Sequence, residues 1–260
     1  MEHILSLSYG KDSLACLAAI EQLGWPLDRI VHAEIWATDT IQADLPSMVE
    51  FKKKADSIIK ARYGIQVEHI RSQWTYESYF YNKRGSKAKF AGTIYGFPMQ
   101  QRNWCVGRLK TEIINKTNKG VVSYLGIAID ESKRVDRHIA KENIRLPLVE
   151  AGWTETMCRK WCEENDLLSP IYTTAARGGC WFCHNQSVGQ LRLLRKNYPA
   201  YWDLLLKWDS DSPVCFKPNG RTVHDYDARF RYEEEGLVPC DKTFRWEMLS
   251  DPLTYQMSLF

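Results

Sequence analysis

No stretch of the chain approaches the run of about 18 apolar residues that a membrane-spanning helix needs, so a helical membrane protein is not expected. The Gly-x-x-x-x-Gly-Lys-Ser/Thr spacing of the common phosphate-binding loop is missing, and there are no internal repeats or low-complexity tracts. Met1 leads straight into an apolar strand pattern, without the charged and apolar regions of a signal peptide or the composition of a transit peptide. The expectation is therefore a cytoplasmic protein. Charge of one sign is also scarce: 35 Lys and Arg against 32 Asp and Glu leave +3, which neither argues for nucleic acid nor opposes it.

The remaining composition is that of a globular chain. With 260 residues, 44% hydrophobic and 26% charged, it can bury a substantial core as one large domain or a domain with an appendage. Eight cysteines without a secretion signal point to metal or redox chemistry more than to disulfides, because the cytosol keeps thiols reduced. Ten Trp and thirteen Tyr are many; most such rings are core, and some can line a nucleobase pocket.

The most informative stretch is Ser8-Tyr9-Gly10-Lys11-Asp12-Ser13, between the apolar run Ile4 to Leu7 and a helical pattern through Leu14, Leu17, Ala18 and Leu23. A tight turn from strand to helix leaves the first amide groups of the helix without intrahelical partners. Together with the helix dipole they suit a phosphate. Gly10 permits close backbone approach, Lys11 adds a point charge, and Ser8 and Ser13 add short hydroxyls. The chain continues with a strand over Ile30 to Trp36 and a helix from Pro46 to Gly64. A strand over Ile65 to Ile70, a helix from 102 to 119, a strand over Val121 to Ile129 and a helix from Thr154 to Asn165 follow. This alternation predicts an α/β fold with a doubly wound, mostly parallel sheet, whose ligands bind at the carboxyl ends of the strands. The domain reading is 1–176 for the nucleotide-binding part and 177–260 for a helical, cysteine-containing region packed on it. Between 71 and 101 periodicity is lost, and Lys83, Arg84, Lys87 and Lys89 alternate with Tyr76, Tyr79, Phe80, Tyr81, Phe90 and Tyr95. Such an interleaved segment reads either as a lid or substrate-binding arm that grips phosphates and stacks bases, or as a solvated loop.

Five stretches resemble the PP-loop superfamily of N-type ATP pyrophosphatases and sulfonucleotide reductases. The loop is similar to Ser-Gly-Gly-Lys-Asp-Ser, with Tyr9 at its second position; Asp39-Thr40 resembles the family's Asp-Thr-Gly, with Ile41 for the glycine. Gly126 to Arg134 resembles the family's Gly-x-Arg-x-x-Glu-Ser element with its following arginine, with Ala128 where the first arginine belongs. Trp104-Cys105 to Lys110, and Arg177-Gly178-Gly179-Cys180-Trp181-Phe182-Cys183, resemble the two cysteine motifs that hold a [4Fe-4S] cluster in adenylyl sulfate reductases. The resemblance runs from Ile4 to Cys183, about two thirds of the chain.

The resemblance implies an adenine nucleotide alpha hydrolase-like fold and binding of ATP or an adenylyl sulfate. It implies nucleotide contacts from Ser8, Tyr9, Gly10, Lys11, Asp12, Ser13, Asp39, Thr40, Gly126, Glu131, Ser132 and Arg134. Lys11, Asp12 and Asp39 take the catalytic roles, with Mg²⁺ held by Asp12 or Asp39. Arg102 and Arg137 are further candidate phosphate clamps. A [4Fe-4S] cluster or a zinc usually takes four protein ligands. Cys180 and Cys183 supply two and Cys105 the natural third; the family's Cys-Cys pair is broken by Val106 and the fourth ligand is unassigned, with Cys215, the working choice, or Cys240 able to supply it and an open fourth iron the alternative. Cys158 and Cys162, four apart on a helix, read as buried thiols.

The reductases carry their nucleophile in a C-terminal Glu-Cys-Gly-x-His motif, which this sequence does not contain. The leading expectation is accordingly an ATP pyrophosphatase that adenylates its substrate for sulfur transfer to tRNA, DNA or a small molecule, served by a sulfur donor or reductant protein. A sulfonucleotide reductase and a non-catalytic nucleotide-binding accessory protein are the alternatives, and a homodimer is compatible with the sequence.

Overall fold

The computed structural model describes residues 1–88, 90–98, 103–173 and 178–250. The chain divides into two compact units, one of Met1–Ser78 with Trp104–Trp181 and one of Tyr79–Asn103 with Phe182–Phe260. From Tyr79 onward the basic and aromatic arm belongs to the second unit, while Tyr76 lies in the first; the sequence reading keeps 1–176 together.

The first unit is α/β. Its five strands are β1 (His3–Ser6), β2 (Arg29–Glu34), β3 (Val67–Arg71), β4 (Val122–Tyr124) and β5 (Ile144–Arg145), all parallel and ordered β3-β2-β1-β4-β5. The order reverses at β1, as in doubly wound sheets, whose ligands bind at that switch point. Alternation along β1 feeds both faces. Leu5 and Leu7 join Leu14, Leu17, Ile20 and Ile59 in the main core, while Ile4 packs with Val31 and Val121 on the other side. Burying each such Leu or Ile contributes roughly 1.5–3 kcal/mol, which fixes the register of the strand that carries the loop.

Helix α1 (Lys11–Leu23) ends at Gly24 and α2 (Pro46–Tyr63) at Gly64; both glycines adopt the left-handed conformation that stops a helix, and Pro46 sits in the first turn of α2. Helix α3 covers 104–117 and contains a π-helical stretch, Gly107–Thr111, inside the first cysteine motif. Two further helices, α4 (Ser132–His138) and α5 (Glu155–Glu164), complete the site region; Thr154 caps α5 by accepting from the Met157 amide.

Two expectations need correction. The strand predicted over Val121 to Ile129 is only Val122–Tyr124, because from Leu125 the chain leaves the sheet to cross the first turn of α1. Strand β5 was not anticipated, since two residues carry no periodicity.

The second unit is helical, with α6 (Val188–Asn197), α7 (Pro199–Asp211) and α8 (Val223–Glu234). Its core is aromatic: Trp202, Trp208, Phe216, Phe230, Phe80 and Phe97 are buried.

Candidate functional site

The loop between β1 and α1 has the geometry that its residue types require. Gly10 is the N-cap of α1, extended at φ −78° and ψ 155°, and no side chain caps the helix there. The amides of Gly10, Asp12 and Ser13 have no hydrogen-bond acceptor among the described residues, which leaves an electropositive helix start at the carboxyl end of the central strand. Gly126, just beyond β4, lies directly over that turn: a Cβ there would stand 2.6 Å from Ser13 Cα and 2.7 Å from Ser13 N. Only glycine admits so close an approach of two backbones.

The cradle already holds one oxygen. The Lys11 amide donates to the hydroxyl of Tyr172 at 3.0 Å, a residue the sequence reading did not single out. The serines are also committed within the loop, since the Ser8 amide and hydroxyl both donate to Ser13 Oγ, which donates in turn to the Gly10 carbonyl. They shape the turn instead of projecting from it.

Around the helix start stands a compact charged group. Lys11 Nζ is 2.8 Å from Asp12 and 3.2 Å from Glu155. Asp12, Glu131 and Glu155 each offer an oxygen within 4.8 Å of the others, and Arg134 reaches Glu131 at 2.5 Å. Burial raises the Asp12 pKa, with the Lys11 ammonium opposing and Glu155 and Glu131 reinforcing. Burial works against the Lys11 charge, but Asp12 and Glu155 outweigh it and its pKa is raised. Three carboxylates facing two cationic side chains form an oxygen-rich set that suits a hard divalent cation. Glu155 was missed by sequence reasoning; its signal was an acid directly after the capping Thr154. Glu131 also accepts from the Ala128 amide, 3.2 Å away, and so pins the loop after β4.

Tyr9 is held differently from a phosphate ligand. It adopts φ 56°, unusual for a non-glycine residue, and its ring is buried under the loop. Its hydroxyl donates to Asp56 and lies 3.2 Å from His69 Nε2. The Lys52 ammonium stands 5.2 Å from its ring centroid. Lys52 is itself buried, bonded to Asp44 and 2.9 Å from His32 Nε2. Burial first, and then the Lys52 charge, keep His32 well below the usual imidazole range. The sequence signal for this network was a lysine within the apolar stripe Met48, Phe51, Ala55 and Ile59 of α2.

Other expected residues lie apart from the charged group. Asp39 is almost fully exposed and its carboxylate is 3.7 Å from Arg71; Thr40 is exposed beside Thr38. Ser132 and Arg137 are exposed on α4. Arg102, Lys89 and Arg177 lie outside the described residues. The carboxylates beside Asp12 are those of Glu131 and Glu155, and Asp39 is not among them.

Cys158 and Cys162 are buried, as their helical spacing suggested, and they lie beneath the loop. Cys162 Sγ is 3.4 Å from the Lys11 carbonyl, and burial together with Asp12 pushes both thiols up to about 12. Cys105 and Cys180 belong to the first unit, Cys183 and Cys215 to the second. Burial lowers the pKa of Lys110, and that of Lys217 to about 8, with the sulfurs of Cys180 and Cys183 opposing.

The arm is only partly what it suggested. Tyr76, Tyr79 and Phe80 are core, and Tyr81 donates to Asp211 in the second unit. Phe90 is the exposed ring among them. No protein-family model matches the chain, and neither does any curated protein or solved structure.

Proposed function

We propose that the chain is a PP-loop adenylating enzyme, which binds Mg²⁺–ATP at the start of α1, transfers AMP to an oxygen of an acceptor with release of pyrophosphate, and prepares that atom for replacement by sulfur. The observation that carries this reading is the uncapped first turn of α1, overlaid by the Gly126 backbone and ringed by Lys11, Asp12, Glu131 and Glu155. The free amides of Gly10, Asp12 and Ser13 would hold phosphate oxygens, preorganised against the charge that develops on departing pyrophosphate. Asp12 and Glu131, with Glu155, would hold Mg²⁺, and Lys11 would leave its carboxylates for the phosphates as the ion takes them over. In the chemical step the acceptor oxygen bonds to the α-phosphorus and the bond to the β,γ-pyrophosphate breaks. A sulfur nucleophile brought by a donor protein later displaces AMP. The cluster or zinc that the cysteine motifs suggest would supply sulfur carriage or a structural tie.

The contact between Tyr172 and the Lys11 amide favours a second reading, in which the loop is closed by the protein itself and the chain is a nucleotide-binding accessory protein. Pyrophosphate release separates the two. The chain is incubated with ATP, Mg²⁺ and candidate acceptors, and pyrophosphate and AMP are counted. Acceptor-dependent release that vanishes in Lys11→Ala supports the enzyme; nucleotide binding without release under every acceptor supports the accessory protein.

A further inference from the structure

The second unit contains a cavity that the adenylation reading does not use. It is about 650 Å³, within the roughly 300–1,000 Å³ of small-ligand sites. Its walls come from the arm at Arg84, Phe90 and Pro98 and from the segment Pro213, Phe216 and Lys217.

The local chain explains why the cavity is open. The arm folds back on itself through an antiparallel bridge between Lys83 and Ile94, and Gly92 turns it at φ 79°. Arg84 locks that turn, donating from Nε and Nη2 to the carbonyls of Ile94 and Tyr95. Its Nη1 has no acceptor among the described residues. The guanidinium also lies 5.8 Å from the Phe90 ring centroid and 5.5 Å from that of Tyr95. Phe90 is 55% exposed. A large, half-exposed ring at the mouth of a cavity and beside a cation suits the stacking of a base.

The charge of the lining decides what the platform faces. Arg84 and Lys217 line the cavity and no carboxylate does, while Lys83 and Lys87 are exposed on the same arm. Apolar walls with cations and no acid match a planar ring carrying an anionic phosphate. A base inside a duplex has its faces covered by neighbouring bases, whereas an unpaired base offers both face and backbone.

We propose that the cavity between the 84–98 arm and the 213–217 segment binds one unpaired nucleotide of a single-stranded nucleic acid, with its base against Phe90 and its phosphate at Arg84. This goes beyond the adenylation reading and is measured without ATP, so either can fail alone. If both hold, the acceptor is a nucleic acid.

The test is fluorescence anisotropy of the full chain with labelled 12-nucleotide single strands of RNA and of DNA and with the matching duplexes. Single strands are expected to bind, and duplexes to bind at least tenfold more weakly. The RNA and DNA arms decide the sugar; binding of either supports the site. Phe90→Ala removes an exposed ring and should weaken binding by about 5- to 100-fold, the span of one lost base stack, with the thermal unfolding midpoint measured beside it. Phe90→Trp should restore it. As a second readout, the exposed Cys215 lies in the cavity wall, so the bound strand should slow its alkylation by a maleimide while leaving Cys240 unchanged. Equal binding by wild type and Phe90→Ala, equal binding of duplex and single strand, or Cys215 protection by a free mononucleotide without oligonucleotide binding would each overturn the proposal.

Discussion

The phenolic hydroxyl of Tyr9 donates to Asp56, so the second residue of the β1–α1 loop is tied to helix α2. The relationship explains how a tyrosine stands in a left-handed position that strains a residue with a side chain. The fully buried ring and the bond to a carboxylate offset that strain, and His69 closes the network 2.9 Å from Asp56. Tyr9→Phe keeps the packing and loses the bond, and is expected to lower stability by about 1–2 kcal/mol. Tyr9→Gly relieves the backbone but empties the core beneath the loop, with an expected cost of about 3–5 kcal/mol. Urea unfolding of the three proteins checks the order: wild type, then Phe, then Gly.

Gly126 and Ser13 meet backbone to backbone, so a methyl group at 126 cannot be absorbed by rotating a side chain. Gly126→Ala is expected to push the 125–131 loop off α1, lowering stability by about 1–3 kcal/mol and nucleotide affinity at least tenfold. The control is Gly179→Ala, where a Cβ meets nothing within 4 Å. Thermal unfolding and nucleotide titration of both variants test this; equal behaviour would remove the 125–131 loop from the site.

Thiol chemistry should divide by depth. Cys16, Cys158 and Cys162 are buried and their pKa values are raised, chiefly by desolvation, whereas Cys215 and Cys240 are exposed. Maleimide at pH 8 should label Cys215 and Cys240 within minutes and spare the three buried thiols until the protein unfolds. The sign of the pH effect follows. A thiol whose folded pKa is raised ionises more readily in the unfolded chain, so stability is unaffected below about 8.5 and falls as pH rises beyond it. Cys158→Ala should flatten that alkaline decline, measured as the urea midpoint from pH 7 to 10.

Tyr172 competes with any phosphate for the Lys11 amide. Tyr172→Phe removes the competing oxygen and should tighten ATP binding by about 2- to 12-fold, the worth of one net hydrogen bond. Isothermal titration of the two proteins reads the ratio. Weaker binding in the variant would mean that the hydroxyl itself contacts the nucleotide.

The parallel sheet and the loop at its switch point were legible because they rest on local signals: apolar runs, a glycine-bearing turn, and helix stops at Gly24 and Gly64. The charged group was half legible. Lys11, Asp12, Glu131 and Arg134 lie in motifs, but Glu155 and Tyr172 come from segments more than 140 residues away in sequence. Nothing local marks them. For Asp39, an acid after a strand says which end of the sheet it occupies and not where its side chain points, which is toward solvent and Arg71. Lys52 shows the converse case, a charge in an apolar stripe that signals a buried partner without naming it.

The measurement that bears most directly on the account is equilibrium binding of ATP to the full chain, with and without Mg²⁺, in wild type, Lys11→Ala and Glu131→Gln. The account predicts that wild type binds, that removing Mg²⁺ or changing Glu131 weakens binding at least tenfold, and that Lys11→Ala weakens it further. Binding that is the same in all three proteins, and indifferent to Mg²⁺, would contradict it.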